Sequence, residues 1–183
     1  MKLPDGPWTV VAKREVRAGS QAGSSGSPAQ LWLVLVRIDA GALTALLQFR
    51  TPANTFIGVS RWNDEPCKGV VDPLVIDTMK QTFAMPECFT VTKHNPQQFT
   101  TASPGVAGDV AKWLGENKIP QLERAHRVYY AKYYRGDFFH ATAILPQVGD
   151  GHAASEAWGR QVAAQLQAMV LGEKRQAELP TLP

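Results

Sequence analysis

The stretch that most constrains the fold is Arg124 to Leu145, closed by Pro146, which reads RAHRVYYAKYYRGDFFHATAILP. It contains all four tyrosines of the chain, and two aromatic-rich segments flank Arg135, Gly136 and Asp137. Such a pattern predicts an antiparallel hairpin with a short turn. A three-residue turn at Arg135 to Asp137 sets Tyr133 against Phe139, Ala131 against Ala141, Tyr129 against Ala143 and Arg127 against Leu145. The opposite side then holds Tyr134 with Phe138, Lys132 with His140, Tyr130 with Thr142 and Val128 with Ile144. This register is preferred because it places Ala131, Ala141 and Ala143 together as a floor for a helix. A two-residue turn, for example at Gly136 and Asp137, would rearrange both faces, since side chains alternate with a period of two.

The rest of the chain supplies partners for that hairpin. Trp8 to Arg17 alternates imperfectly and predicts a strand. Gly19 to Gln30 (GSQAGSSGSPAQ) is glycine- and serine-rich, so a flexible loop is expected there. Leu31 to Asp39 (LWLVLVRID) is apolar on both faces until Arg37, as suits a central strand. Ala40 and Gly41 form a tight turn into Leu43 to Arg50, and Phe56 to Trp62 continues the meander after the TPAN turn. An acidic turn, Asn63 to Pro66, precedes Cys67. Leu74 to Phe83 reads as a short helix, and Glu87 to Lys93 returns to strand.

Ser103 and Pro104 provide a helix start, because the serine oxygen accepts from a free amide and proline suits the first turn. That helix should run to about Glu116, with Val106, Val110, Trp113 and Leu114 on one stripe. Ala153 to about Arg175 carries Trp158, Val162, Leu166, Met169 and Val170 at helical spacing, with Asp150 as a candidate N-cap. Pro180 and Pro183 suggest a frayed tail after about residue 175. The order of elements predicts an α+β fold: a single domain over residues 1–183, with one antiparallel sheet of about seven strands and two main helices packed on one face.

At 183 residues, 44% hydrophobic and 19% charged, the chain has the composition of an ordinary globular domain. A net charge of +3 is too small and too dispersed to imply a nucleic-acid partner by itself. No apolar run approaches the roughly 20 residues that a membrane-spanning helix needs. No secretory signal is visible in MKLPDGPWTV.

Cys67 and Cys88 are an even pair that could bridge the irregular segment to the sheet. A bridge would imply an oxidising compartment, periplasmic or secreted, whereas free thiols would suit a cytoplasmic one. Neither cysteine has a local partner signature for nucleophilic catalysis. No CxxC or HxxxH spacing suggests a metal, and no cofactor motif is present. The histidines are at 94, 126, 140 and 152, and His152 reads as part of a helix start. His140, set against Lys132 with Tyr130 and Tyr134 nearby, is the candidate site residue, because a neighbouring cation favours the neutral imidazole that can act as a base. Tyr130, Lys132, Tyr134 and His140 form the candidate ligand-binding set.

Three functions fit these residues. The favoured one is a non-catalytic binding or interaction domain, extracytoplasmic, with a protein or small-molecule ligand. A small hydrolase-like enzyme using His140 as base is the second, and it needs Asp, Glu or Cys within reach of that histidine. The third is a single-stranded nucleic-acid binder through the Tyr/Arg hairpin. Arg124, Arg127, Lys132 and Arg135 divide between both faces and no RNP-like pattern accompanies them, which weighs against it.

Overall fold

Apolar residues on successive positions of a strand commit both of its faces to burial, and that requirement shapes the architecture seen in a computed structural model of the chain. The structure describes residues 1–16, 29–53, 66–78, 86–95, 105–134 and 137–183. The strands are β1 (Trp8–Val16), β2 (Gln30–Asp39), β3 (Ala42–Pro52), β4 (Val75–Asp77), β5 (Glu87–Lys93), β6 (Ala125–Tyr134) and β7 (Asp137–Pro146). The helices are α1 (Val106–Glu116) and α2 (Ala153–Val170). All seven strands form one sheet in the order β1-β2-β3-β7-β6-β5-β4, every pair antiparallel. Two meanders, one running outward from β3 and one ending at β7, meet along the β3–β7 seam.

The α+β class and the single antiparallel sheet agree with the expectation from sequence, but the helices lie on opposite faces. Leu35, Leu47, Phe49, Phe89, Val128, Ala141 and Ala143 point to the face covered by Trp158, Val162 and Leu166 of α2. The alternate positions Val34, Val36, Leu46 and Ile144 pack with Val106, Val110 and Leu114 of α1. Had both helices shared one face, Val34 and Val36, each fully buried, would have faced water.

The hairpin is present in a different register. Tyr134 pairs with Asp137, Tyr133 with Phe138, Ala131 with His140, Tyr130 with Ala141 and Tyr129 with Thr142. Residues 135 and 136, the expected centre of the turn, lie outside the described residues. The one-residue difference separates the alanines: Ala141 and Ala143 lie under α2, whereas Ala131 faces the other way beside Cys88, Tyr133 and Phe138. This pairing gathers Val128, Tyr130, Ala141 and Ala143 on one face, which the preferred three-residue turn would have divided between faces.

Other expectations need correcting as well. Val75–Asp77 is an edge strand beside β5, not the start of a helix, and the Leu74 N–H donates to the Val91 carbonyl at 2.8 Å. Two consecutive β-branched or extended-favouring residues after Pro73 suit that edge. The seven strands therefore include β4, while Phe56 to Trp62 falls outside the described residues, as do 19–28, 63–65, 79–83 and the Ser103–Pro104 pair. α1 begins at Val106 after Gly105, whose φ is 68°. α2 begins after His152 with no side-chain cap, and Asp150 instead lies 3.9 Å from Arg124. α2 ends at Val170.

The tail after residue 175 is docked, not frayed. Lys2 and Glu178 form a parallel bridge, with the Lys2 N–H donating to Ala177 at 2.9 Å and the Leu179 N–H donating to Lys2 at 3.0 Å. Ala177 and Leu179 are buried. The Trp158 indole N–H reaches the Pro180 carbonyl at 3.2 Å. Apolar contact with α2 thus outweighs the disruptive effect of the prolines.

α2 sits very close to the sheet at Gly159. A Cβ there would be 2.5 Å from Val128 Cγ1 and 2.8 Å from a Phe89 ring carbon. Gly159→Ala is therefore expected to destabilise the protein by about 1–3 kcal/mol in urea denaturation, despite the roughly 1 kcal/mol by which alanine favours a helix. Equal or greater stability would show that the helix does not make this approach. Trp158→Ala should lower stability by about 3–5 kcal/mol, through lost burial and a lost indole hydrogen bond.

Candidate functional site

Beyond the footprint of α1, the second face of the sheet changes from apolar to polar. The register explains why. Arg50 pairs with His140 and Gln48 with Thr142 across the β3–β7 seam. Tyr129 pairs with Thr142, Arg127 with Thr92 and Trp32 with Arg50. Each strand contributes polar groups two positions apart, so they all emerge on the same face.

Above this floor stands the Pro66–Val71 segment. Cys88 belongs to the same row as Ala131, His140 and Arg50 through the pairings of β5, β6 and β7. Its disulfide to Cys67, with Cα atoms 5.4 Å apart, holds the segment over the sheet. The result is a cavity of about 450 Å³ between segment and floor.

Four cations line this cavity, Arg50, Lys68, Lys93 and Arg127, and among the described residues no carboxylate does. Arg50 lies 5.1 Å from the Trp32 ring centre and 5.2 Å from that of Phe138. Arg127 lies 5.5 Å from the Tyr129 ring centre. Burial pulls both guanidinium groups below their usual pKa, although each remains a cation. The Arg50 Nε and Trp32 Nε1 donors are buried with no hydrogen-bond partner among the described residues. Ring faces offer these cations a weak counterpart, worth about 0.5–2 kcal/mol each.

His140 is buried at the base of the cavity. Its Nε2 is 3.0 Å from the Tyr133 hydroxyl and its Nδ1 is 3.3 Å from the Tyr129 hydroxyl. Its pKa is lowered to about 3, by burial first and by Arg50 second, so it is neutral at pH 7. Burial likewise pushes the Tyr129 hydroxyl upward, keeping it protonated. His140 therefore bridges two neutral tyrosines, with one ring nitrogen donating and the other accepting.

The four residues expected to form a ligand site are not brought together. His140 borders the cavity, but Tyr130 and Lys132 lie on the opposite face. There the Tyr130 hydroxyl donates to Glu87 Oε1 at 2.7 Å and Lys132 Nζ donates to Glu87 Oε2 at 2.6 Å. All three are buried. Tyr134, two positions after Lys132, shares their side of β6. The one-residue register difference accounts for this division, because it moves His140 away from Lys132 and opposite Ala131.

Arg50, Trp32, Gln48 and Lys68 were not foreseen as site residues. A signal was present in Gln48/Arg50, Arg127/Tyr129 and His140/Thr142, three polar pairs at two-residue spacing in strands that the topology makes neighbours. Elsewhere, His126 Nδ1 lies 3.0 Å from Ser155 Oγ, a fully buried contact that pins the start of α2 to β6. Among the described residues, no group of three His, Cys, Asp or Glu side chains is placed to hold a metal ion.

The buried histidines give a prediction for pH. His140 titrates near 3 and His94 near 4 in the folded protein, against about 6.5 when unfolded. Below pH 6.5 the unfolded chain takes up protons that the folded one does not, so stability is greatest above that pH and declines as acid is added. The slope should approach 1.4 kcal/mol per pH unit for each such histidine in urea titrations between pH 6 and 4.5. His140→Gln should flatten it by one histidine's share; an unchanged slope would show that His140 is protonated in the fold. Comparison with family models, curated proteins and solved structures returned no match, so the functional reading rests on this geometry.

Proposed function

We propose that the chain is a non-catalytic binding domain that takes a small anionic ligand in the cavity between the sheet and the Pro66–Val71 segment. The observation that carries this reading is the pair Arg50 and Arg127, two partly buried cations with no carboxylate partner in the cavity among the described residues. Removing a charge from water without a counter-ion is strongly unfavourable, and a bound anion would offset that penalty. Trp32 and Tyr129 add flat apolar walls, and Thr142 and Gln48 add hydrogen-bonding groups. Such a mixture of apolar walls and a few directed polar groups is typical of small-molecule sites.

The same geometry supports binding over hydrolysis. Both His140 nitrogens are engaged with tyrosine hydroxyls. An imidazolium formed there would face Arg50, with no Asp, Glu or free Cys beside it among the described residues to stabilise the charge. It also supports a small ligand over a nucleic-acid strand, because Tyr130 and Tyr133 are buried in the fold and offer no exposed stacking platform. An extracytoplasmic setting is supported by the Cys67–Cys88 bridge. Among the described residues, no helix is long and apolar enough to cross a membrane.

Titration calorimetry with succinate, citrate and inorganic phosphate at low ionic strength tests the reading. At least one of these anions should bind, and its affinity should fall as sodium chloride is raised. Arg127→Gln should weaken binding by about tenfold, the loss of one charge-assisted hydrogen bond. Absence of binding by every anion, or affinity indifferent to Arg127→Gln, would overturn it. Replacing both cysteines by serine should lower stability by roughly 3 kcal/mol and weaken the same anion, because one wall loses its tether. A thiol titration of the denatured, unreduced protein should find no free thiol.

A further inference from the structure

Resting on the reading of the cavity as an anion site, we infer that its ligand is elongated and carries two anionic ends, one held at Arg50 and the other at Arg127. The sheet register fixes how far apart these residues stand. Arg50 shares a row with His140 and Ala131, and Arg127 precedes Ala131 by four positions on the same strand. Two inter-strand steps and four residues along a strand put their Cα atoms about 17 Å apart.

The side chains do not close that gap onto a single point. Arg50 leans over Trp32 and Phe138, and Phe138 lies one same-face position beyond His140, on the side away from Arg127. Arg127 lies over Tyr129, in the middle row. Two guanidinium groups on the order of 10 Å apart make two subsites, since a bidentate carboxylate or phosphate contact spans only about 3 Å. Between them the floor is neutral and hydrogen-bonding, consisting of Gln48, Thr142 and the Tyr129 hydroxyl with its His140 partner.

A ligand with one charge would therefore satisfy one guanidinium and leave the other uncompensated. A ligand with two charges and a short middle could not reach both. The shared chemistry is a pair of oxyanion heads, carboxylate or phosphate, on a spacer that spans the middle row. A spacer able to accept and donate hydrogen bonds suits that row better than a plain hydrocarbon.

The test is calorimetry with linear dicarboxylates from malonate to sebacate and with the matching alkyl bisphosphonates, using hexanoate as the single-headed control. The expected result is a length optimum within at least one series, with the best member binding about tenfold or more tighter than hexanoate. Arg50→Gln and Arg127→Gln should each reduce that member to the level of hexanoate, and the double variant should bind it more weakly still, since the one-point contact left in either single variant is then lost as well. If hexanoate binds as tightly as every dianion and still depends on salt and Arg127, the two-headed ligand is wrong while the anion cavity stands. If no anion of either series binds, both readings fall.

Discussion

Every major element of this molecule answers to one constraint, namely that the middle strands are apolar on both sides and need two covers. α2 covers the half formed by β5, β6 and β7 on one face, and α1 covers β1 and β2 on the other. Because α1 is only eleven residues long, it leaves part of the second face to be closed by something else. The disulfide-held Pro66–Val71 segment supplies that closure over residues that are polar, and the space between becomes a cavity. The cavity is thus a by-product of incomplete helix coverage, held in place by a covalent tether.

Two groups of charge, one buried and one partly buried, differ in how far the fold satisfies them. Glu87, Lys132 and the Tyr130 hydroxyl satisfy one another at 2.6 and 2.7 Å under the sheet's other face, so little is left for a ligand to add. Among the described residues, Arg50 and Arg127 lie against ring faces, and the cavity offers them no carboxylate. A paired buried charge is strongly destabilising to disrupt but offers nothing to an incoming molecule. An unpaired one is a standing demand for a counter-ion. The two sets stand on opposite faces of the same sheet, and on β6 the consecutive residues Tyr129 and Tyr130 belong to different ones.

Period and composition made much of the fold legible. LWLVLVRID reads as a central strand, covered on both sides or closely packed on one, and Val34, Leu35 and Val36 are all buried. Ala40 and Gly41 turn with φ of 52° and 80°, as a two-residue hairpin connection requires. The helical stripes through Val106 and Trp158 were visible at their spacing. What could not be read was any relation set by pairing between segments. Hairpin register depends on turn geometry, and a single residue there separated His140 from Lys132. The face to which each helix packs depends on the handedness of long connections, which local pattern does not encode. Arg50 sits in an ordinary strand, and only the pairing of β3 with β7 brings it opposite His140. The docked tail was hidden because prolines signal a break in regular structure without saying whether neighbouring apolar residues find a surface.

The bridge between Lys2 and Glu178 joins positions at nearly opposite ends of the sequence. Closing so large a ring costs more loop entropy than short-range contacts do. Once closed, it rests on two backbone hydrogen bonds and the Pro180 acceptor of Trp158, while the disulfide secures the opposite face. Amide hydrogens at the clasp should then exchange by local opening well before those lining β6 and β7. The molecule has a side that can loosen and a side that is stitched, and the cavity is on the stitched one.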